Sequence, residues 1–219
     1  MATLKNGILG GVAGKIGNVV GSSWKGIDYL KTLPTHYTDA KTEVQITNRS
    51  KFLTLIRFLQ TITDFIRVGY KSLAVKKSAF NAATSYLYHN AMTGDYPNIS
   101  IDFTKVFVSR GNLTGAYGAS VSSPTAGNIE LRWGDNSADG TARADDVAMV
   151  VAYHSDLAEA YYTLNAANRS AGQASIQLPL SFSGGNVRVY LSFMAINALG
   201  SQAMKSVSNS VYVGEVQVT

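Results

Sequence analysis

The stretch of chain richest in potential oxygen ligands is Asp135-Asn136-Ser137-Ala138-Asp139-Gly140, followed by Asp146. Counted from Asp135 as position 1, Ser137, Asp139, Gly140 and Asp146 fall at positions 3, 5, 6 and 12. A calcium loop needs side-chain oxygens at such positions, with glycine at the sixth for a sharp turn. Two features oppose that reading. Position 12 is Asp rather than the longer Glu that chelates through both oxygens, and Arg143 brings a cation into the loop. A polar hairpin loop rich in turn formers accounts for the same residues. Calcium at Asp135, Ser137, Asp139 and Asp146 therefore stands second to a plain loop.

Other chemistry is thinner. His36, His89 and His154 have no partner at helical spacing and fit neither a zinc site nor a nucleophile–base arrangement. Gly14-Lys15 is followed by Ile16, where a phosphate loop requires Ser or Thr. With no cysteine, disulfides and thiolate chemistry are excluded. Lys71, Lys76 and Lys77 lie among Tyr70, Phe80, Tyr86 and Tyr88. Such interleaving can form a stacking surface for nucleic acid. A solvated basic helix face over a buried aromatic stripe uses the same residues and is preferred. No catalytic residues and no cofactor are expected, so the chain reads as a non-enzyme.

A chain of 219 residues, 46% hydrophobic and 15% charged, can bury a sizeable core. Residues 1–110 hold 14 Lys/Arg against 6 Asp/Glu, whereas residues 111–219 hold 5 against 8. This asymmetry suits head-to-tail attraction between copies as well as a basic contact surface. No run of about eighteen apolar residues is present to span a membrane. The opening segment is broken by Lys5, Lys15 and many glycines, so a secretory signal is not expected. Synthesis in the cytoplasm is the expectation that follows, while the final compartment stays open, release as an assembly being one option.

The expected fold class is α+β: a Gly-rich N-terminal arm, an antiparallel helix pair and a C-terminal immunoglobulin-like β-sandwich. Residues 1–34 read as an extended arm, with Gly at 7, 10, 11, 14, 17, 21 and 26 between short β-formers. Phe52, Leu55, Ile56, Leu59, Ile62 and Ile66 mark one face of a helix, entered through a Thr42/Gln45 capping box and ended near Gly69. A second helix is predicted over Ser72–Met92. From residue 98 the period becomes two. Ile99–Phe103, running on into Val106–Val108, Ala116–Val121, Asn128–Trp133, Val147–Tyr153, Glu159–Leu164, Ala174–Leu178, Val187–Ala195 and Ser210–Val218 read as strands, with Trp133 between sheets. Gly184-Gly185-Asn186 reads as a hairpin turn. The expected domains are residues 1–97, arm plus helical hairpin, and residues 98–219, sandwich.

Two stretches carry a resemblance. One is Gly17-Asn18-Val19-Val20-Gly21 with Trp24-Lys25-Gly26, then Leu33-Pro34, Gln45 and Arg49. The other is Val189-Tyr190-Leu191-Ser192-Phe193 with Val207-Ser208-Asn209-Ser210-Val211-Tyr212-Val213-Gly214. Together they resemble a bacterial family of unknown function with such an arm and a β-rich C-terminal part; the resemblance implies no activity. The expected role is a self-assembling structural subunit, a homo-oligomer, tube, shell or filament. Residues Gly17, Asn18, Val19, Val20, Gly21, Trp24, Lys25 and Gly26 would pack on a neighbouring copy, with Trp24 as anchor. The alternative is a monomeric immunoglobulin-like module whose loops, Gly134–Asp146 above all, hold a glycan or protein.

Overall fold

The computed structural model describes residues 3–4, 10–24, 27–34, 36, 39–195 and 207–219. The chain divides into two compact units, Met1–Thr42 and Glu43–Thr219. The division thus falls at residue 42 rather than after residue 97.

In the first unit the glycine-punctuated segment pairs with itself. Strands β1 (Thr3–Leu4), β2 (Val12–Ile16), β3 (Val19–Trp24) and β4 (Ile27–Thr32) form an antiparallel sheet in chain order. The expected extended arm is therefore a small meander. Short β-formers and tight turns satisfy the backbone locally, which a free arm would leave to water.

The second unit opens with three α-helices. These are α1 (Glu43–Thr61), α2 (Thr63–Gly69) and α3 (Ala79–Asn90). The first begins directly after Thr42, where the capping box places its start. The expected single helix is broken at Ile62, because the hydroxyls of Thr61 and Thr63 donate to the carbonyls of Phe58 and Leu59. Such back-bonding by β-branched residues competes with the helical ladder. The second predicted helix starts later than Ser72. Lys71–Leu73 forms a 3-10 turn, Lys76 has φ of +55°, and Ser78 caps α3 by accepting from the Asn81 N–H at 3.1 Å.

Strands β5 (Met92–Thr93) and β6 (Ser100–Ile101) form a two-stranded ladder. Phe103–Lys105 then turns as a 3-10 segment, so no strand continues through Val106–Val108 as the alternation predicts. That alternation has another cause: Ile101, Phe103, Val106 and Val108 all pack into the helical core.

The remaining strands follow the sequence pattern closely. They are β7 (Tyr117–Ser122), β8 (Asn128–Gly134), β9 (Val147–His154), β10 (Glu159–Thr163), β11 (Gln173–Gln177), β12 (Asn186–Met194) and β13 (Val211–Gln217). They build two antiparallel sheets, ordered β10-β9-β12-β13 and β11-β8-β7. Gly184-Gly185-Asn186 is therefore no hairpin turn, since β11 and β12 belong to different sheets.

The four-stranded sheet is the middle layer. Ala148, Val150 and Ala152 of β9 and Val187, Val189, Leu191 and Phe193 of β12 meet Ile129, Leu131, Trp133, Ala174 and Ile176 of the three-stranded sheet. The alternate residues Met149, Val151, Tyr153, Tyr190 and Met194 meet Leu55, Phe58, Leu59, Ile62, Phe65 and Ile66 of the helices. Phe58 sits edge-on to Tyr153, with centroids 4.9 Å apart at 89°, a favoured aromatic geometry. Trp133 packs between the sheets against Phe193, at 5.7 Å and 76°.

Candidate functional site

The N-terminal unit holds the residues that the sequence marks for assembly, and their spacing has a local cause. Ile16 pairs with Val19, leaving Gly17 and Asn18 as a two-residue turn. Gly17 has φ of +55°, and such a turn reserves its first central position for glycine when that φ is positive. Gly21 stands opposite Gly14 and Leu30. A Cβ there would collide with the carbonyl of Val12. Gly17-Asn18-Val19-Val20-Gly21 is thus a turn, two β-branched strand residues and a point of close backbone approach. Beyond it, Trp24 pairs with Ile27 along the backbone. The Trp24 side chain, Lys25 and Gly26 lie outside the described residues.

Register divides the side chains of this sheet between two faces. Directly opposed residues share a face, so Ile16, Val19 and Leu30 lie on one, and Val20, Ile27 and Tyr29, with Lys15 and Lys31, lie on the other. Leu4, Ile16, Ile27, Tyr29 and Leu30 are 52, 54, 66, 42 and 60% exposed. Large apolar groups therefore stand in water on both faces of a sheet in which no described residue is buried.

The calcium candidates in the second unit are not brought together as ligands. Asp146 is buried, and its Oδ2 accepts from Nε of Arg169 at 3.0 Å and from the Arg143 N–H at 2.9 Å. Its Oδ1 is buried with no hydrogen-bond partner. Asp135 is exposed, and hydrogen bonding from the Ser137 side chain, with its N–H at 3.0 Å, holds the Asp135 carboxyl below the usual range. Asp139 uses its main chain, accepting from the Thr114 hydroxyl at 3.1 Å. Among the described residues no three His, Cys, Asp or Glu are grouped to hold a metal ion. At the last position of the twelve-residue calcium reading, Asp146 Oδ2 is engaged by Arg169 and by the Arg143 N–H.

Arg169 itself gave no sequence signal. It is fully buried. Its Nη1 donates to the Gly115 carbonyl at 3.2 Å and to Asn136 Oδ1 at 2.7 Å, and its Nη2 donates to the Thr114 carbonyl at 2.8 Å. Its guanidinium lies 3.8 Å over the ring of Phe193, while its own carbonyl accepts from Trp133 Nε1 at 2.8 Å. Burial weakens its hold on the proton, and Asp146 opposes that. The result is a clasp fixing segments 114–115 and 136–146 at one end of the sheets. Only a spatial pairing reveals it, because Arg169 and Asp146 stand 23 positions apart.

The histidines remain separate. His154 is buried in β9, where its Nδ1 accepts from the Leu157 N–H at 3.3 Å and its ring meets Phe182 edge-on. His36 and His89 are exposed. Two rings of the basic–aromatic stretch are engaged within the fold. Tyr70 is buried and donates to the Phe107 carbonyl at 2.7 Å. Tyr86 stacks on Phe107 and is covered by Arg110. No described helix is long and apolar enough to cross a membrane.

The chain belongs to the family of unknown function DUF6266, whose profile matches residues 11–214. No curated protein matches it in sequence. Among solved structures it is similar to the fn3 domain of human collagen alpha-1(XX) chain, at 12% identity. That match covers 50% of this chain and 89% of the other, with a TM-score of 0.35.

Proposed function

We propose that this protein is a non-enzymatic structural subunit that assembles with copies of itself through its N-terminal β unit. The carrying observation is the four-stranded sheet with Ile16 and Leu30 exposed on one face and Ile27 and Tyr29 on the other. A sheet gains stability by burying an apolar face against another layer, and one this small is marginal without that. Apolar faces left in water mark interaction sites. A neighbouring copy supplies such a layer, either face to face or by adding a strand at an edge.

The body from Glu43 to Thr219 is read as immunoglobulin-like. Its four-plus-three strand order, with β10-β9-β12-β13 facing β11-β8-β7, supports that reading. Light scattering on the full chain should give a mass several times that of the 23.4 kDa protomer. A chain beginning at Glu43 should be a folded monomer. A full-length monomer at all concentrations, or unchanged assembly by the truncated chain, overturns the proposal. The first result would favour a monomeric binding module, because the Arg169 clasp holds the 135–146 loop in one shape suited to recognition.

A further inference from the structure

Among the described residues three arginines lie over aromatic rings: Arg169 on Phe193, Arg188 on Phe103 and Arg110 on Tyr86, at 3.8, 4.3 and 3.9 Å. Two of them also hold a carboxylate, Arg169 with Asp146 at 3.0 Å and Arg188 with Glu215 at 3.3 Å. Arg110 differs. No carboxylate among the described residues pairs with it, and its guanidinium makes no hydrogen bond there. It is nevertheless held in place. The ring beneath it stacks on Phe107 at 5.8 Å and 19°, and its own N–H donates to the Gly69 carbonyl at 2.9 Å.

This guanidinium forms part of an open pocket of about 350 Å³ along α3, which Lys77, Ser85, Tyr86, His89 and Asn90 also line. No acidic residue lines it. Like Arg110, Lys77 and His89 have no ion pair among the described residues, and the Ser85 hydroxyl has no hydrogen bond there. A pinned fork, an ammonium, an imidazole and a hydroxyl around one concavity are complementary to a compact, multiply charged oxyanion. A carboxylate offers two oxygens to that set, whereas a phosphate monoester offers three. The volume suits a small ligand. The Tyr86 ring is already engaged by Phe107 and by the Arg110 guanidinium.

We infer that the pocket walled by Arg110, Lys77, Ser85 and His89 binds the phosphate group of a small phosphate ester. The inference is independent of assembly through the N-terminal unit. The test is calorimetric titration of the full-length protein with inorganic phosphate, a nucleoside monophosphate and acetate, repeated on Lys77→Ala, Arg110→Lys and the distant Arg132→Ala. Saturable one-to-one binding of phosphate and the ester is expected, with acetate weaker. Lys77→Ala and Arg110→Lys should each weaken binding by about tenfold or more, as loss of a charge-assisted hydrogen bond implies. Arg132→Ala should leave it unchanged. Lys77 is exposed, so its variant tests the site without disturbing the core. Three outcomes overturn the inference: no saturable binding, affinity in Lys77→Ala and Arg110→Lys unchanged from that of the unaltered protein, or acetate binding as tightly as phosphate.

Discussion

Arg169 donates four hydrogen bonds, to Asp146, Asn136 and the carbonyls of Thr114 and Gly115. Replacing it with Met leaves the Asp146 carboxylate buried without its cation. Removing one partner of a buried pair costs about 3–5 kcal/mol, because the remaining charge is neither solvated nor neutralised. Arg169→Met should lower stability in urea by that amount, and adding Asp146→Leu should restore part of it. A loss below about 1 kcal/mol would show that the clasp contributes little. Two buried phenols make a second prediction. Tyr70 donates to Phe107 O at 2.7 Å and Tyr190 to Phe103 O at 2.8 Å. Burial pushes both phenols well above their ordinary value of 10.0. The unfolded chain ionises near pH 10, while the folded chain keeps both protons, so folding binds protons above that pH. This stability is complete below pH 10 and is lost as pH rises through the higher folded values. Stability measured by urea unfolding should fall between pH 9.5 and pH 11 by about 1 kcal/mol or more, and by less in Tyr70→Phe/Tyr190→Phe. An identical fall in that double variant would assign the effect elsewhere.

Among the elements, the N-terminal sheet depends on Gly21, where any side chain meets the backbone of Val12. Gly21→Val should abolish assembly while leaving the unfolding transition of the 43–219 body in place. Unchanged particle mass by light scattering would detach assembly from this sheet. How far such elements were legible depended on how many faces each one buries. Strands β7 to β13 were readable from short apolar runs between turn residues. Helix α1 was readable from its period, but the buried stripe passes through Leu55, Phe58 and Leu59, and Phe52 is 52% exposed. The role of β9 was hidden. Every residue from Val147 to His154 is buried, so no alternation between apolar and polar residues shows that helices cover its second face. In β12, Tyr190 and Ser192 alternate with Val189, Leu191 and Phe193, yet both sides are buried. The candidate site was legible to a different degree. Glycine density singles out residues 1–34 but reads as an extended arm, and the turn at Gly17 and the close approach at Gly21 emerge only from the strand pairing. Position counting along 135–146 cannot reveal that Asp146 is held by Arg169.

At the scale of the whole molecule, two compact units differ in how they satisfy their apolar groups. The body from Glu43 to Thr219 has its own two cores, one between the sheets and one beneath the helices. The N-terminal unit presents its apolar residues outward, which is the physical basis for assigning assembly to it. The excess of cations before residue 111 belongs largely outside the sheets, and the pocket at Arg110 draws on that excess. The helical cover on β9 and β12 also constrains how this architecture can be inherited. A β-body cut out at residue 98 would carry Met149, Val151, Tyr153 and Tyr190 as a bare greasy wall. Any transplanted β-body must therefore carry residues 43–97 with its strands, and the cut that spares both cores is the one between Thr42 and Glu43.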